Sequence, residues 1–168
     1  MSTRSNESPA TKEQITPNGS NGHTPQVIPP LQPGDFLTRA EFERRYHNHP
    51  DLKKAELIEG IVYMPSPDSA AYHGDPHFDL IGWLGVYCAT VPGLIGSDNA
   101  TLRLDNINEP QPDILLRLDT AHGGRSKIDE EGYLEGPVEF VVEVASSSAS
   151  YDMNQKKATY ARHGFESI

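Results

Sequence analysis

The stretch VEFVVEVASSSAS, residues 138–150, sets an acid inside a run of strand-forming residues. Read as a strand over 138–145, its side chains alternate between two faces. Val138, Phe140, Val142 and Val144 share one face, and Glu139, Val141, Glu143 and Ala145 share the other. Four large apolar groups mark the first face as core. Glu143 then points across the sheet, near the strand's C-terminal end, where sites in α/β proteins commonly open. The segment QPDILLRL, residues 111–118, behaves in the same way. Ile114, Leu116 and Leu118 form an apolar face, and Asp113, Leu115 and Arg117 form the other, with Asp113 at the strand's start. If these two strands pair with their faces aligned, Asp113 and Glu143 converge. Two ionised carboxylates in contact repel and raise one another's pKa. A divalent cation removes that cost, and oxygen-only ligands suit Mg²⁺ or Mn²⁺ better than zinc.

Asp152, Lys156 and Tyr160 follow at i, i+4 and i+8, so a helix there carries them along one face. From that face Lys156 can aim its ammonium at the acids. Two carboxylates on strands plus a lysine are the working parts of metal-assisted phosphodiester hydrolysis. The structural reading of the same residues is a salt-bridged acid in a strand and a solvated Asp–Lys pair on a helix. Spacing alone leaves both readings open.

Other candidates weigh less. His73 and His77 in HGDPH have i, i+4 spacing, but Gly74 and Pro76 argue against a helix running through both, so turn and helix-start roles are expected. His73 alone is placed near the acids as a supporting or substrate-side group. The serines at 146, 147, 148 and 150 lack a G-x-S-x-G elbow and read as a loop that caps the next helix. Gly123-Gly124-Arg125 with Lys127 is either a phosphate-approaching patch or an ordinary loop, since three acids follow at 129–131.

These groups need a scaffold. Thr38 and Glu41 have capping-box spacing and predict a helix over 38–46. AELIEGIVYMP reads as a hairpin, with Glu59-Gly60 turning between 56–58 and 61–64. A loop precedes a helix from about Pro76 to Ala89, whose expected apolar stripe is Phe78, Ile81, Leu84 and Tyr87. Strands are expected at ATLRLD and PDILLRLD, then a surface excursion over 119–136, which holds four Gly and five acids. The strand 138–145 and a helix over 152–163, ended by Gly164, complete the chain. The sum is an α/β domain with helices before and after a central mixed sheet.

With 168 residues, one domain plus a tail is expected. Residues 1–33 carry six of the 14 prolines and one short apolar cluster, Val27-Ile28, so they are expected to be a disordered tail. No apolar run reaches the length of a signal peptide core or a membrane span, and Cys88 has no partner for an internal disulfide. A soluble cytoplasmic domain is expected. Net charge is −10, which argues against a protein that coats duplex by charge. An enzyme meeting nucleic acid through one local face remains compatible with it.

From about Asp35 to Gly164 the chain resembles the Uma-type putative restriction endonucleases, a branch of the PD-(D/E)XK nuclease superfamily. The stretches that carry the likeness are AELIEGIVYMPSP, His73, PQPDILL, YLEGPVEFVVEVASSSASYD and KKATYARHG, in that order. The resemblance implies a restriction-endonuclease-like fold, a Mg²⁺ site and DNA as substrate. It makes Asp113 the PD aspartate, Glu143 the second acid and Glu56 an upstream third metal-side acid. The usual lysine position, two residues after the second acid, holds Ala145 here. The Uma-type pattern moves the lysine to the next helix, onto Lys156 with Lys157 as rival. Successive helix residues turn about 100°, so only one of the two faces the acids. In the family a further strand follows the glycine matched by Gly164, whereas this sequence ends in FESI. A sheet without its last strand leaves an edge open to a second copy or another partner. It also keeps a non-catalytic binding module, or an inactive fragment of the fold, as the alternative to an enzyme.

Overall fold

The computed structural model describes residues 27–65, 69–145 and 150–165, without the side chains of 150–153. Most of the expected tail, residues 1–26, therefore lies outside the described residues. Its last part does not behave as a tail. Leu31 is 4% exposed and packs with Phe42, Ala55, Leu57 and Val62. A lone leucine among prolines gives no local signal, because its partners lie 11 or more positions away.

Helix α1 spans Arg39–His47, and the Thr38 hydroxyl accepts from the Glu41 N–H at 3.5 Å. Strands β1 (Glu56–Ile58) and β2 (Ile61–Tyr63) form the expected hairpin. Both turn residues have positive φ, 53° at Glu59 and 77° at Gly60, as a two-residue primed turn requires. Glutamate is unusual in that conformation. Three contacts hold it there: its N–H donates to Asn108 Oδ1 at 2.8 Å, and its carboxylate accepts from Thr159 and Arg162.

The expected loop before the next helix is itself helical in part. A π-helical turn, Ala70–Gly74, runs directly into α2, Asp75–Thr90. The π-helical turn carries the backbone past Pro76, which falls in the first positions of α2. That is why His73 and His77 lie on one continuous helical path, with ring centroids 5.4 Å apart. The expected stripe on α2 also differs. Leu80, Leu84 and Cys88 pack inward with Ile114, Leu116, Phe140 and Val142, while Phe78 and Tyr87 face outward. Steps of three residues fall about 60° behind one full turn, so a stripe at 78, 81, 84 and 87 drifts off the buried face.

The sheet content is divided into three short sheets. One is β1–β2. The second is antiparallel, with β3 (Leu94–Asp98), β5 (Ile114–Leu118) and β8 (Phe140–Val142) in that order. The third orders β4 (Leu102–Arg103), β7 (Leu134–Glu135) and β6 (Lys127–Ile128), with β4 parallel and β6 antiparallel to β7. The 119–136 segment thus supplies two strands and buries Ser126 and Leu134. Strand β3 was not expected, because Gly96 and Ser97 interrupt its alternation. Helix α3 spans Ser150–Arg162, and Gly164 follows at φ 77°. The middle sheet has apolar side chains on both faces. Ile114, Leu116, Phe140 and Val142 meet α2, while Leu115 and Val141 join Leu102, Leu134, Val138, Tyr160 and Phe165.

Arg103 joins several elements through charge. Its guanidinium lies 2.5 Å from Asp129, 2.7 Å from Glu131 and 2.8 Å from Glu43, with Tyr133 stacked at 4.3 Å. Glu109 is buried beside them. Burial, then a hydrogen bond and like charge from Glu43, push its carboxyl up from 4.5 to about 9. A group whose folded pKa is raised adds stability below its unfolded pKa and loses it as pH rises through the folded value. The free energy of unfolding is expected to fall between pH 4.5 and about 9, by at most about 1.4 kcal/mol per pH unit for one proton. Urea unfolding at pH 5, 7 and 9 should show that slope in the native chain and a flatter one in Glu109→Gln. Equal slopes would remove Glu109 as the cause.

Candidate functional site

The antiparallel register of β5 and β8 pairs Ile114 with Val142 and Leu115 with Val141. Continued one step, it sets Asp113 opposite Glu143, on the face that carries Leu115 and Val141 toward α3. Glu56 arrives from the hairpin. Leu57 bridges Glu109 in an antiparallel pair, and the Gln111 N–H donates to Glu56 Oε1 at 2.6 Å. The chain from 109 to 113 therefore carries both the anchor of Glu56 and Asp113 itself. All three carboxylates are nearly buried, with 5, 6 and 10% of their side chains exposed for Glu56, Asp113 and Glu143.

Lys156, one turn before Tyr160 on α3, completes the cluster. Its ammonium is 2.7 Å from Glu56 Oε2 and 3.1 Å from Glu143 Oε1. The Tyr160 hydroxyl donates to the same Glu143 oxygen at 2.8 Å. Asp113 is held separately. Its Oδ1 accepts from Lys54 at 3.1 Å, and its Oδ2 accepts from the Val144 N–H at 2.8 Å and meets His73 Nε2 at 3.2 Å. Lys54 also donates to Asn99 Oδ1 at 3.2 Å.

These neighbours set the protonation of each group. Burial disfavours the ionised form of Asp113, but the Val144 N–H, Lys54 and His73 outweigh it and hold the carboxyl below its ordinary range. Burial dominates at Glu143 and raises it, with the charges of Glu56 and Asp113 adding and Lys156 opposing. For Lys156 burial favours the neutral amine, yet Glu56 and Glu143 overcome it and keep the group charged. Burial and the nearby acids push the Tyr160 hydroxyl far up, so it acts as a hydrogen-bond donor.

The four residues expected from sequence, Glu56, Asp113, Glu143 and Lys156, are thus brought together. Of the two lysines, Lys156 faces the acids and Lys157 is exposed. Tyr160 does more than pack, since its hydroxyl reaches Glu143. The side chain of Asp152 and the serines at 146–148 and 150 lie outside the described side chains. His77 turns inward from α2, to the Asp113 carbonyl and to Asp98, both at 3.1 Å. The basic loop is committed to structure: Arg125 donates to the Gly164 carbonyl at 2.9 Å, and Lys127 pairs with Glu135 at 2.9 Å. Lys54 was missed. It sits in an irregular segment before β1, where no periodicity assigns it a face.

Among the described residues, no three His, Cys, Asp or Glu side chains form a ready-made metal cage. The donors themselves do fit a hard divalent cation: three nearly buried carboxylates, oxygen only. Lys156 now supplies the positive charge that Glu56 and Glu143 require.

No curated protein matches this chain. A crystal structure described as a putative nuclease belonging to DUF820, from Anabaena variabilis, shares the fold at a TM-score of 0.56. It is 14% identical and aligns over 73% of this chain and 68% of its own. The Uma2 family model, described as putative restriction endonuclease, matches residues 39–168, which takes in all four site residues. With that match over most of its length, the chain belongs to the Uma2 family.

Proposed function

We propose that this chain is a metal-dependent endonuclease that hydrolyses DNA phosphodiester bonds at the Glu56–Asp113–Glu143–Lys156 cluster. The observation that carries this reading is the Lys156 ammonium, delivered from a separate helix to within 2.7 and 3.1 Å of two nearly buried glutamates. Asp113, Glu143 and Glu56 would hold Mg²⁺ or Mn²⁺. When bound, such an ion polarises the phosphate and lowers the pKa of a water. Asp113 is already ionised and oriented by Lys54, His73 and the Val144 N–H. Lys156 has three donors, two of which point at Glu56 and Glu143, so one is left for a phosphate oxygen or the attacking water. Tyr160 fixes Glu143 from the other side. Membership of a restriction endonuclease family supports DNA as the substrate.

The test is cleavage of supercoiled plasmid with Mg²⁺ or Mn²⁺, comparing the native chain with Asp113→Asn. Cleavage by the native chain and none by the variant is expected. Equal activity in both removes the assignment.

One observation favours a second reading, a non-catalytic binding module. Each acid already has a protein cation, Lys54 on Asp113 and Lys156 on Glu56 and Glu143. A cluster balanced in this way is stable without a metal. Calorimetric titration with Mn²⁺ separates the two readings: binding heat favours the nuclease, and none in a folded, inactive sample favours the module.

A further inference from the structure

Lys54 reaches into the acid cluster from outside it. Residues 52–55, between α1 and β1, have no regular structure, but both neighbours of Lys54 are tied down. The Lys53 carbonyl accepts from the Tyr46 hydroxyl at 3.2 Å, and Ala55 is buried in the cluster that holds Phe42 and Leu57. From there the ammonium meets two acceptors, Asp113 Oδ1 at 3.1 Å and Asn99 Oδ1 at 3.2 Å. The Lys54 side chain is 23% exposed, against 6% for Asp113 and 12% for Lys156, so it lies on the solvent side of the cluster.

Asn99 is arranged to keep that ammonium in place. Its φ of 49° is a left-handed conformation that asparagine tolerates better than most residues. Its backbone N–H donates to the Asp113 carbonyl at 3.0 Å, which ties it to the acid's own strand. Its side-chain amide donates to Asp98 Oδ1 at 2.9 Å, and that bond turns its carbonyl oxygen toward Lys54. The two acceptors of Lys54 therefore differ. Asp113 Oδ2 already accepts from the Val144 N–H and meets His73, so Oδ1 is the oxygen turned to a cation. An ammonium and a divalent ion on one oxygen repel each other. The Asn99 oxygen is neutral and lies outside that competition.

We propose that Lys54 is a second substrate-binding cation of this site: it holds Asp113 Oδ1 while no metal is bound, and with the metal bound it stays on Asn99 and donates to a non-bridging oxygen of the DNA phosphodiester. This role rests on the nuclease reading above. Charge balance gives it direction. With Glu56, Asp113 and Glu143 ionised, Lys54 and Lys156 leave one negative charge over, and a divalent ion turns that into one positive charge. A phosphodiester carries a single negative charge. Without Lys54 the loaded site is neutral and exerts no net pull on it. An ammonium has three donors, so one on Asn99 leaves two for the phosphate.

The test is a pair of shifts with opposite signs. Lys54→Met removes the competitor for Asp113 Oδ1, so calorimetric titration should show Mn²⁺ binding about 10-fold tighter than in the native chain. The same variant should bind a fluorescent DNA duplex about 10-fold more weakly by anisotropy, with Ca²⁺ as the oxygen-bound ion. Its slope of log affinity against log salt should fall by about 0.9, the loss of one phosphate contact. Lys54→Arg keeps the charge and should recover most of the duplex affinity. Asn99→Gly keeps the left-handed backbone and every charge but removes the tether, so duplex binding should weaken while Mn²⁺ affinity stays near native. A lysine that served the fold alone would not tighten the metal when removed. Mn²⁺ binding in Lys54→Met that is no tighter than native, or duplex binding at native strength in Lys54→Met or Asn99→Gly, overturns the role of Lys54. The nuclease reading survives that result if the native chain cleaves plasmid. A native chain that binds no Mn²⁺ overturns both.

Discussion

Lys156→Met is expected to lower plasmid cleavage by about 10²–10³-fold, the loss that follows removal of one well-placed donor to a developing negative charge. The effect has a second part. In the native chain one ammonium balances two carboxylates, and all three groups are nearly buried. Methionine keeps the volume but leaves Glu56 and Glu143 facing each other without a cation. Removing one partner of a buried ionic set costs about 3–5 kcal/mol. Glu143 softens that cost by protonating, since burial already raises its pKa. The variant should therefore unfold at lower denaturant, and the deficit should shrink as pH falls and Glu143 becomes neutral. Lys157→Met is the control. Its side chain is exposed, so activity and stability should stay near native values. Two lysine variants of equal activity would mean that the ammonium takes no part in the reaction, and a Lys156→Met chain with native stability would mean that the acids never needed it.

The second large effect concerns folding alone. Arg103→Met is expected to destabilise the chain by about 2–3 kcal/mol, because a buried cation is lost from the part-buried acids Glu43 and Asp129. Arg103 is 8% exposed and serves Glu43 from α1 together with Asp129 and Glu131 from the turn between β6 and β7. Its contact with Glu43 is an ion pair without hydrogen-bond geometry, since both atoms lack a hydrogen-bond partner. The loss of Arg103 therefore removes charge balance at Glu43 and two hydrogen bonds, to Asp129 and Glu131. Equilibrium unfolding at pH 7 measures the effect. A double variant, Arg103→Met with Glu43→Gln, should recover part of it, because one of the stranded charges is gone. No loss in the single variant would show that the cluster relaxes to water.

Both sites illustrate how far local pattern reaches. The Thr38 cap, the Glu59-Gly60 turn and the facing of Asp113 and Glu143 follow from rules that act within a few residues, and the structure keeps all three. The stripe on α2 failed because an apolar residue on a helix need not face the core of its own chain. The strands at 127–128 and 134–135 escaped because two-residue strands are held by their partners rather than by their own alternation. Leu31 was placed in a tail for the same reason, since only distant residues bury it.

What the sequence by itself determined is part of the inventory and its facing: Asp113, Glu143 and Lys156 on strand and helix faces whose periods are fixed by backbone geometry, with Glu56 added by the family resemblance alone. What only the tertiary structure decided is which charges meet. Glu56, Glu143 and Lys156 come from a hairpin, a sheet and a helix up to 100 positions apart, and Lys54 and His73 reach Asp113 over 59 and 40 positions. Backbone propensity acts over one or two turns of chain. Electrostatic balance in a buried cluster depends on distances of about 3 Å between segments, and those distances exist only once the sheets and helices have packed.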